Sequence, residues 1–123
     1  LRKNGGSIVF FSSAASKVGL KNHETISSAK GAISSMVVSA ASTYARNNIR
    51  VNAIAPGLVE TPLTEKIIQN KLSLDYSISL HGLKRIGKPI NFIPIVNSLI
   101  DKRSDWITGQ TICVDGGLSN VKQ

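Results

Sequence analysis

Two strand-like segments separated by one long helical segment constrain the fold of this chain more than any other feature. Residues 7–11 are apolar almost throughout, which predicts a strand buried on both faces. Over residues 25–46 apolar side chains recur at helical spacing, and Asn47 and Asn48 end the predicted helix because Asn tolerates a left-handed turn. A second strand is predicted over residues 49–55. This order predicts a parallel pair joined by a right-handed crossover.

The second half of the sequence predicts less regular structure, followed by a helix and a last strand. Residues 58–82 form the least regular part, with one short amphipathic helix predicted over residues 66–72. Another helix is predicted over residues 89–100, effectively beginning at Pro94. Residues 110–114 alternate like a strand. No repeat or linker divides the chain, so we expect one α/β domain or half of one.

Four blocks of sequence carry the most specific signal. They are GSIVFFSS (6–13), AKGA (29–32), RVNAIAPGLVETP (50–62) and WITGQTICVDGG (106–117). In order and spacing they resemble the short-chain dehydrogenases/reductases. The loop over residues 83–89 also resembles the segment before the penultimate helix of that family. A single block would be weak support, but four in register extend over nearly the whole chain.

The resemblance implies a Rossmann-like, doubly wound parallel sheet that binds NAD or NADP at the carboxyl ends of its strands. It identifies residues 1–123 as the C-terminal portion of a single such domain, with three strands and flanking helices. The basic turn at the start of the chain is expected to lead into the middle of this fold. The phosphate-binding turn of the family lies upstream, and no G-x-x-x-G-x-G occurs in this sequence.

A proton-transfer site is the chemistry that the resemblance implies. In the family a serine orients the substrate oxygen, and a tyrosine thirteen residues later transfers the proton. A lysine four residues further lowers the tyrosine pKa and holds the nicotinamide ribose. Ser13 and Lys30 match the serine and the lysine, but Ile26 stands at the tyrosine position and carries no exchangeable proton.

Each of these assignments has a plainer alternative. Ser13 could instead satisfy the backbone at the end of a strand, and Lys30 could be a solvated helix residue. His23 is a candidate replacement acid, because histidine exchanges protons near neutral pH. Its alternative role is that of a surface or capping residue.

The segment after the second predicted strand resembles the nicotinamide clamp of the family. There, Val59 would contact the carboxamide through its backbone, and Thr61 through its hydroxyl and backbone. Pro56 and Gly57 precede them, and glycine lets a backbone approach a ligand closely. The alternative is an ordinary strand-ending turn, which explains Pro56 and Gly57 but not Thr61.

The expected function is therefore an NAD(P)-dependent oxidoreductase acting on a small-molecule carbonyl or alcohol. The alternative is a catalytically silent relative or truncated fragment that acts as a nucleotide-binding or subunit-interaction module. The resemblance also implies a homodimer or homotetramer, built through the long helix and the last strand.

Composition argues against several other classes. The net charge is +8, but the basic residues are scattered, and one Trp, two Tyr and three Phe are too few for base stacking. We expect no nucleic-acid partner and no membrane span. His23 and His81 lack the acidic neighbours of a metal site, so no metal is expected. Cys113 is predicted to be a buried strand thiol, which fits a cytoplasmic location.

Overall fold

Three parallel strands form the centre of the protein, seen in a computed structural model that describes residues 3–122. Strand β1 is Gly6–Phe11, β2 is Ile49–Pro56 and β3 is Thr111–Val114, and they lie in the order β1-β2-β3. All strand pairs in the sheet are parallel, with Phe11 beside Ile54 and Pro56 beside Val114. The predicted strand pair is confirmed, and the carboxyl ends of all three strands lie along one edge of the sheet.

Helix α1, Glu24–Tyr44, makes the crossover between β1 and β2. It is followed by a 3₁₀ turn over Ala45–Asn47, so the predicted end at residue 46 was slightly too late. Asn48 adopts φ 56°, the left-handed conformation that the sequence predicted for this helix end.

Helices α2 (Glu65–Gln69) and α3 (Lys71–Leu80) fill the segment where one short helix was predicted. Asn70 separates them with extended backbone, and its side chain accepts a hydrogen bond from the N–H of Ser73. Asn is a preferred residue at the start of a helix. The boundary between two helices could therefore have been predicted at Asn70, and the single helix over residues 66–72 was wrong.

Helix α4, Ile93–Ile100, begins after a 3₁₀ turn over Pro89–Phe92, so the predicted start near Pro94 is confirmed. Strand β2 is buried along almost all of its length, and alternate residues face opposite sides of the sheet. Val51 and Ala53 pack in a cluster with Val37 of α1, and Ile54 packs with Leu99 of α4. The two helix layers on opposite faces confirm the predicted α/β class.

Strand β1 is only half-buried, which corrects the prediction that both of its faces would be buried. Within residues 3–122 it pairs with β2 alone, so its other edge is open and Phe11 at its end is exposed. The apolar sequence of β1 is typical of a strand with neighbours on both sides. Within residues 3–122 it has a neighbour on one side only, so it is less buried than its sequence predicts. Cys113 lies in β3 as predicted but is half-buried rather than buried.

Buried polar groups join β2 to the segment before β3. The Arg50 guanidinium donates to the carbonyl oxygens of Leu99, Asp101 and Ile107. The Asn52 side chain donates to Ile107 O and accepts from the N–H of Gln110. These contacts fix the register in which β3 joins the sheet.

Within residues 3–122 the helices lack the combination of length and apolar character that a membrane span requires.

Candidate functional site

The sequence-predicted site residues gather at the carboxyl ends of β1 and β2. Ser13 lies two residues after β1, and the Lys30 ammonium donates to Phe11 O, the last carbonyl of β1, at 3.3 Å. Val59 and Thr61 lie just after β2, which is the direct neighbour of β1 in the sheet. Parallel sheets bind their ligands at this edge.

Ser12, which the sequence analysis did not single out, fastens α1 to the end of β1. Its side chain is buried, with 3% of the residue exposed. Its hydroxyl donates to Lys30 O at 2.8 Å and lies 2.8 Å from the hydroxyl of Ser34. Because this contact involves the backbone of Lys30 itself, it sets the position of the lysine relative to β1. Two adjacent serines after a predicted strand were the available signal.

Replacing Ser12 by Ala should lower the free energy of unfolding by about 1–3 kcal/mol, because Lys30 O and the Ser34 hydroxyl lose a buried partner. Ser28→Ala is the matched control, since its exposed hydroxyl bonds only to Glu24 O in the same helix. Urea denaturation of both variants measures the difference. Equal stability of the two variants would contradict the fastening role of Ser12.

The Ser13 hydroxyl accepts a hydrogen bond from the N–H of Ala15 at 3.1 Å and so begins a 3₁₀ turn over Ala14–Ser16. This is the contact that the plainer alternative predicted, at the end of a strand. A hydroxyl has one donor and two acceptor sites, so the contact leaves its hydrogen able to point elsewhere. Orientation of a substrate oxygen by Ser13 stays a prediction.

Ile26 and Lys30 lie one turn apart on α1. Ile26 is 41% exposed, which is high for a large aliphatic side chain. The predicted tyrosine position therefore has open space around it and carries no proton donor.

His23 lies at the N-terminal end of α1, but its side chain does not bond to the helix. Its Nδ1 is 2.8 Å from Lys21 O, and because a carbonyl only accepts, Nδ1 carries the hydrogen in that contact. The ring thus bonds to the loop that precedes α1. Its alternative role as a replacement acid is not tested by this contact and stays a prediction.

The predicted clamp is held by contacts within the chain. The Thr64 hydroxyl bonds to Val59 O, and it also accepts from the N–H of Thr61 at 3.1 Å. Gly87 pairs with this segment as well, since its N–H donates to Leu58 O at 2.8 Å. The backbone that would face a carboxamide is therefore fixed before any ligand arrives.

His81 is the main residue that sequence reasoning missed, having been considered there only as a metal ligand. It is buried, with 3% exposed, and its ring bridges the ends of α3 and β2. A Cβ on Gly57 would lie 2.6 Å from His81 Nε2, so the glycine is needed for the close approach of the imidazole. The role predicted for Gly57 towards a ligand is not tested by this contact.

A cavity of about 260 Å³ opens beside the clamp, between the ends of β2 and β3. Its lining combines apolar and charged side chains, including Val59, His81, Arg85, Phe92 and Asp115. Within residues 3–122 no three His, Cys, Asp or Glu side chains gather as metal ligands do.

A family model described as enoyl-(acyl carrier protein) reductase matches residues 1–119. A short-chain type dehydrogenase/reductase from Mycobacterium ulcerans superimposes with a TM-score of 0.86 and 32% identity, over 96% of this chain and 43% of that one. The chain belongs to the short-chain dehydrogenase/reductase family. Its three parallel strands and flanking helices are part of the Rossmann fold of that family.

Other short-chain dehydrogenase/reductase relatives are similar over nearly the whole chain. A chloroplastic tropinone reductase homologue of Arabidopsis thaliana is 43% identical over 114 residues, which are 93% of this chain and 35% of the relative. The 3-oxoacyl-acyl-carrier-protein reductase of Thermotoga maritima is 36% identical over 96% of this chain and 47% of its own length. The chain thus spans less than half of these relatives. Since one relative is named chloroplastic, a cytoplasmic location stays a prediction.

A gluconate 5-dehydrogenase from Burkholderia cenocepacia, solved in complex with NADP and tartrate, superimposes with a TM-score of 0.92. It is 26% identical, over 97% of this chain and 47% of that structure. A 4-hydroxyisoleucine dehydrogenase mutant, solved with NADH and succinate, has a TM-score of 0.86 and 30% identity over 97% of this chain and 49% of its own. These neighbours of the short-chain dehydrogenase/reductase family bind a nicotinamide cofactor, one as NADP and the other as NADH.

Proposed function

We propose that this chain forms the nicotinamide and substrate end of an NAD(P)-dependent oxidoreductase that acts on a carbonyl or an alcohol. The observation that supports the proposal is the position of the Lys30 ammonium at the end of β1, while the turn with Val59 and Thr61 follows the adjacent strand β2. A cation and a fixed backbone at the carboxyl edge of a parallel sheet suit a ribose and a carboxamide.

The residues present fit the nicotinamide end of such a cofactor. Lys30 would hold the ribose, and Val59 and Thr61 would hold the carboxamide, with Pro56 and Gly57 shaping the turn. Val59 O accepts from the Thr64 hydroxyl, and a carbonyl has two acceptor sites, so one remains for a ligand. The cofactor, when bound, supplies or accepts hydride, while Ser13 would orient the substrate oxygen.

The phosphate end of the cofactor has no matching motif in this sequence, which lacks G-x-x-x-G-x-G. The chain also matches less than half of its relatives. We therefore propose that residues outside these 123 hold the phosphates. We further propose a homodimer or homotetramer that uses α1, on which Met36 and Val38 are exposed.

Ile26 favours a second candidate, a silent relative that binds the nucleotide or a partner subunit without turnover. General acid–base catalysis contributes about 10² to 10⁴-fold to a rate, and the isoleucine side chain supplies none of it. His23 is the candidate replacement for the missing donor if the chain is active.

The test uses a fusion protein in which the upstream half of the Thermotoga maritima reductase precedes this chain. NADPH and NADH consumption is followed with a panel of ketones, and cofactor binding is measured separately by fluorescence. Turnover supports the oxidoreductase, and binding without turnover supports the silent relative. A folded fusion protein that binds neither cofactor would contradict both the oxidoreductase and the nucleotide-binding relative, and would leave only the role in binding a partner subunit.

A further inference from the structure

His81 links the predicted clamp to the end of α3, although it lies 23 residues from its partner in the clamp. Its Nε2 is 3.1 Å from the backbone nitrogen of Leu58, and its Nδ1 is 2.6 Å from Ser77 O. Leu58 directly precedes Val59, and Ser77 lies in the last turn of α3. The imidazole therefore joins the backbone just after β2 to the C-terminal turn of α3.

The two backbone partners determine the state of the ring. The Leu58 N–H can only donate, so Nε2 must be an unprotonated acceptor. The Ser77 carbonyl can only accept, so Nδ1 must carry the hydrogen. The ring is then neutral, with a single tautomer. A hydrogen on Nε2 would face the Leu58 N–H, and the bond would be lost.

Neighbouring backbone keeps the imidazole in this place. Gly57 has no Cβ, and one built there would lie 2.6 Å from Nε2 and 3.1 Å from the α-carbon of Asp115. A Cβ on Gly116 would lie 3.8 Å from Cδ2 of the ring, and Gly116 O accepts from the N–H of Leu83 at 2.9 Å. The ring is thus close to the turns that follow the neighbouring strands β2 and β3, and it is hydrogen-bonded to the first of them at Leu58.

We propose that His81, as the neutral Nδ1–H tautomer, is a positioning residue that fixes residues 58–61 against the C-terminal end of α3. Through Val59 and Thr61 it would set the geometry of the nicotinamide clamp. That second step rests on the proposed function, whereas the local fixation stands on the contacts of His81 alone.

Two conservative variants distinguish the two hydrogen bonds that the imidazole makes, one with Leu58 and one with Ser77. His81→Gln can place an amide oxygen near the position of Nε2 and so keep the acceptor for Leu58. His81→Asn can place an amide nitrogen near the position of Nδ1 and so keep only the donor to Ser77. Both variants are neutral and polar, which makes them matched controls for each other.

Amide hydrogen exchange of the 123-residue chain, measured by NMR, tests the local step. His81→Asn should speed exchange at Leu58 by about tenfold, the effect of losing one hydrogen bond, while His81→Gln stays close to wild type. The Ala53 amide, which bonds to Gln110 O within the sheet, should be unaffected in both. The imidazole ¹⁵N spectrum of the wild type should show a protonated Nδ1 and an unprotonated Nε2.

Unchanged exchange at Leu58 in His81→Asn would overturn the proposal, and so would equal acceleration at Ala53 or the opposite tautomer. In the fusion protein, His81→Asn should also weaken cofactor binding more than His81→Gln does. If the wild-type fusion binds no cofactor, the proposed function fails, while the exchange pattern still decides the role of His81.

Discussion

Replacing Ile26 by Tyr in the fusion protein is expected to raise the rate of carbonyl reduction by about 10² to 10⁴-fold, the usual contribution of a general acid. Residue 26 lies one turn before Lys30 on α1 and is 41% exposed, so a larger side chain can be accommodated. The nearby ammonium would lower the pKa of the introduced phenol by favouring its ionised form. Steady-state kinetics with a ketone substrate measure the change.

Ile26→Phe is the matched control for this gain, because it adds the aromatic ring without the hydroxyl. Its rate should stay at the level of the unmodified fusion protein. Equal rates in Ile26→Tyr and Ile26→Phe would show that the missing proton donor is not what limits catalysis. In that case His23→Gln becomes informative, since a loss of rate would assign the proton transfer to His23.

Replacing Leu99 by Ala is expected to lower the free energy of unfolding by about 2–5 kcal/mol, the range measured for buried leucines. Leu99 is fully buried and packs between α4 and β2 against Ile54 and Phe92. Truncation removes apolar contacts and leaves a cavity next to the central strand. For a small domain this is a large share of the total stability, so the variant should unfold at much lower urea concentrations.

Leu72→Ala is the control, because Leu72 also lies on a helix but is 83% exposed. It should change the stability by less than about 0.5 kcal/mol, as surface substitutions usually do. Comparable losses in the two variants would mean that α4 does not pack on β2 as the structure describes.

The central part of the fold was predictable because its signals are local. Strand β2 is apolar apart from Arg50 and Asn52, α1 has a helical repeat of apolar residues, and Asn48 ends the crossover with a left-handed residue. The separation of α2 from α3 also has a local signal, because Asn70 is a residue type that caps helices. The sequence analysis missed this signal.

Other features depend on contacts between distant residues, and no local pattern contains them. The burial of β1 depends on whether strands pair with both of its edges, and in residues 3–122 only β2 does. The apolar sequence therefore predicted more burial than the structure has. Gly57 was predicted to let the backbone approach a ligand. In the structure, a Cβ on Gly57 would lie nearest to the ring of His81. The parallel pair predicted from the order of elements placed the ends of β1 and β2 at one edge, whereas the roles of Lys30 and the clamp were predicted only through the family resemblance.

The most direct test of this account is the affinity of the fusion protein for NADPH and NADH, with and without the Lys30 ammonium. Lys30→Met should weaken binding by about tenfold or more, since a hydrogen bond from a charged group contributes about 1.5–3 kcal/mol. Lys102→Met changes the charge equally at an exposed site far along the chain and should leave the affinity unchanged. Equal affinities in Lys30→Met and Lys102→Met would contradict a cofactor site at the carboxyl ends of β1 and β2.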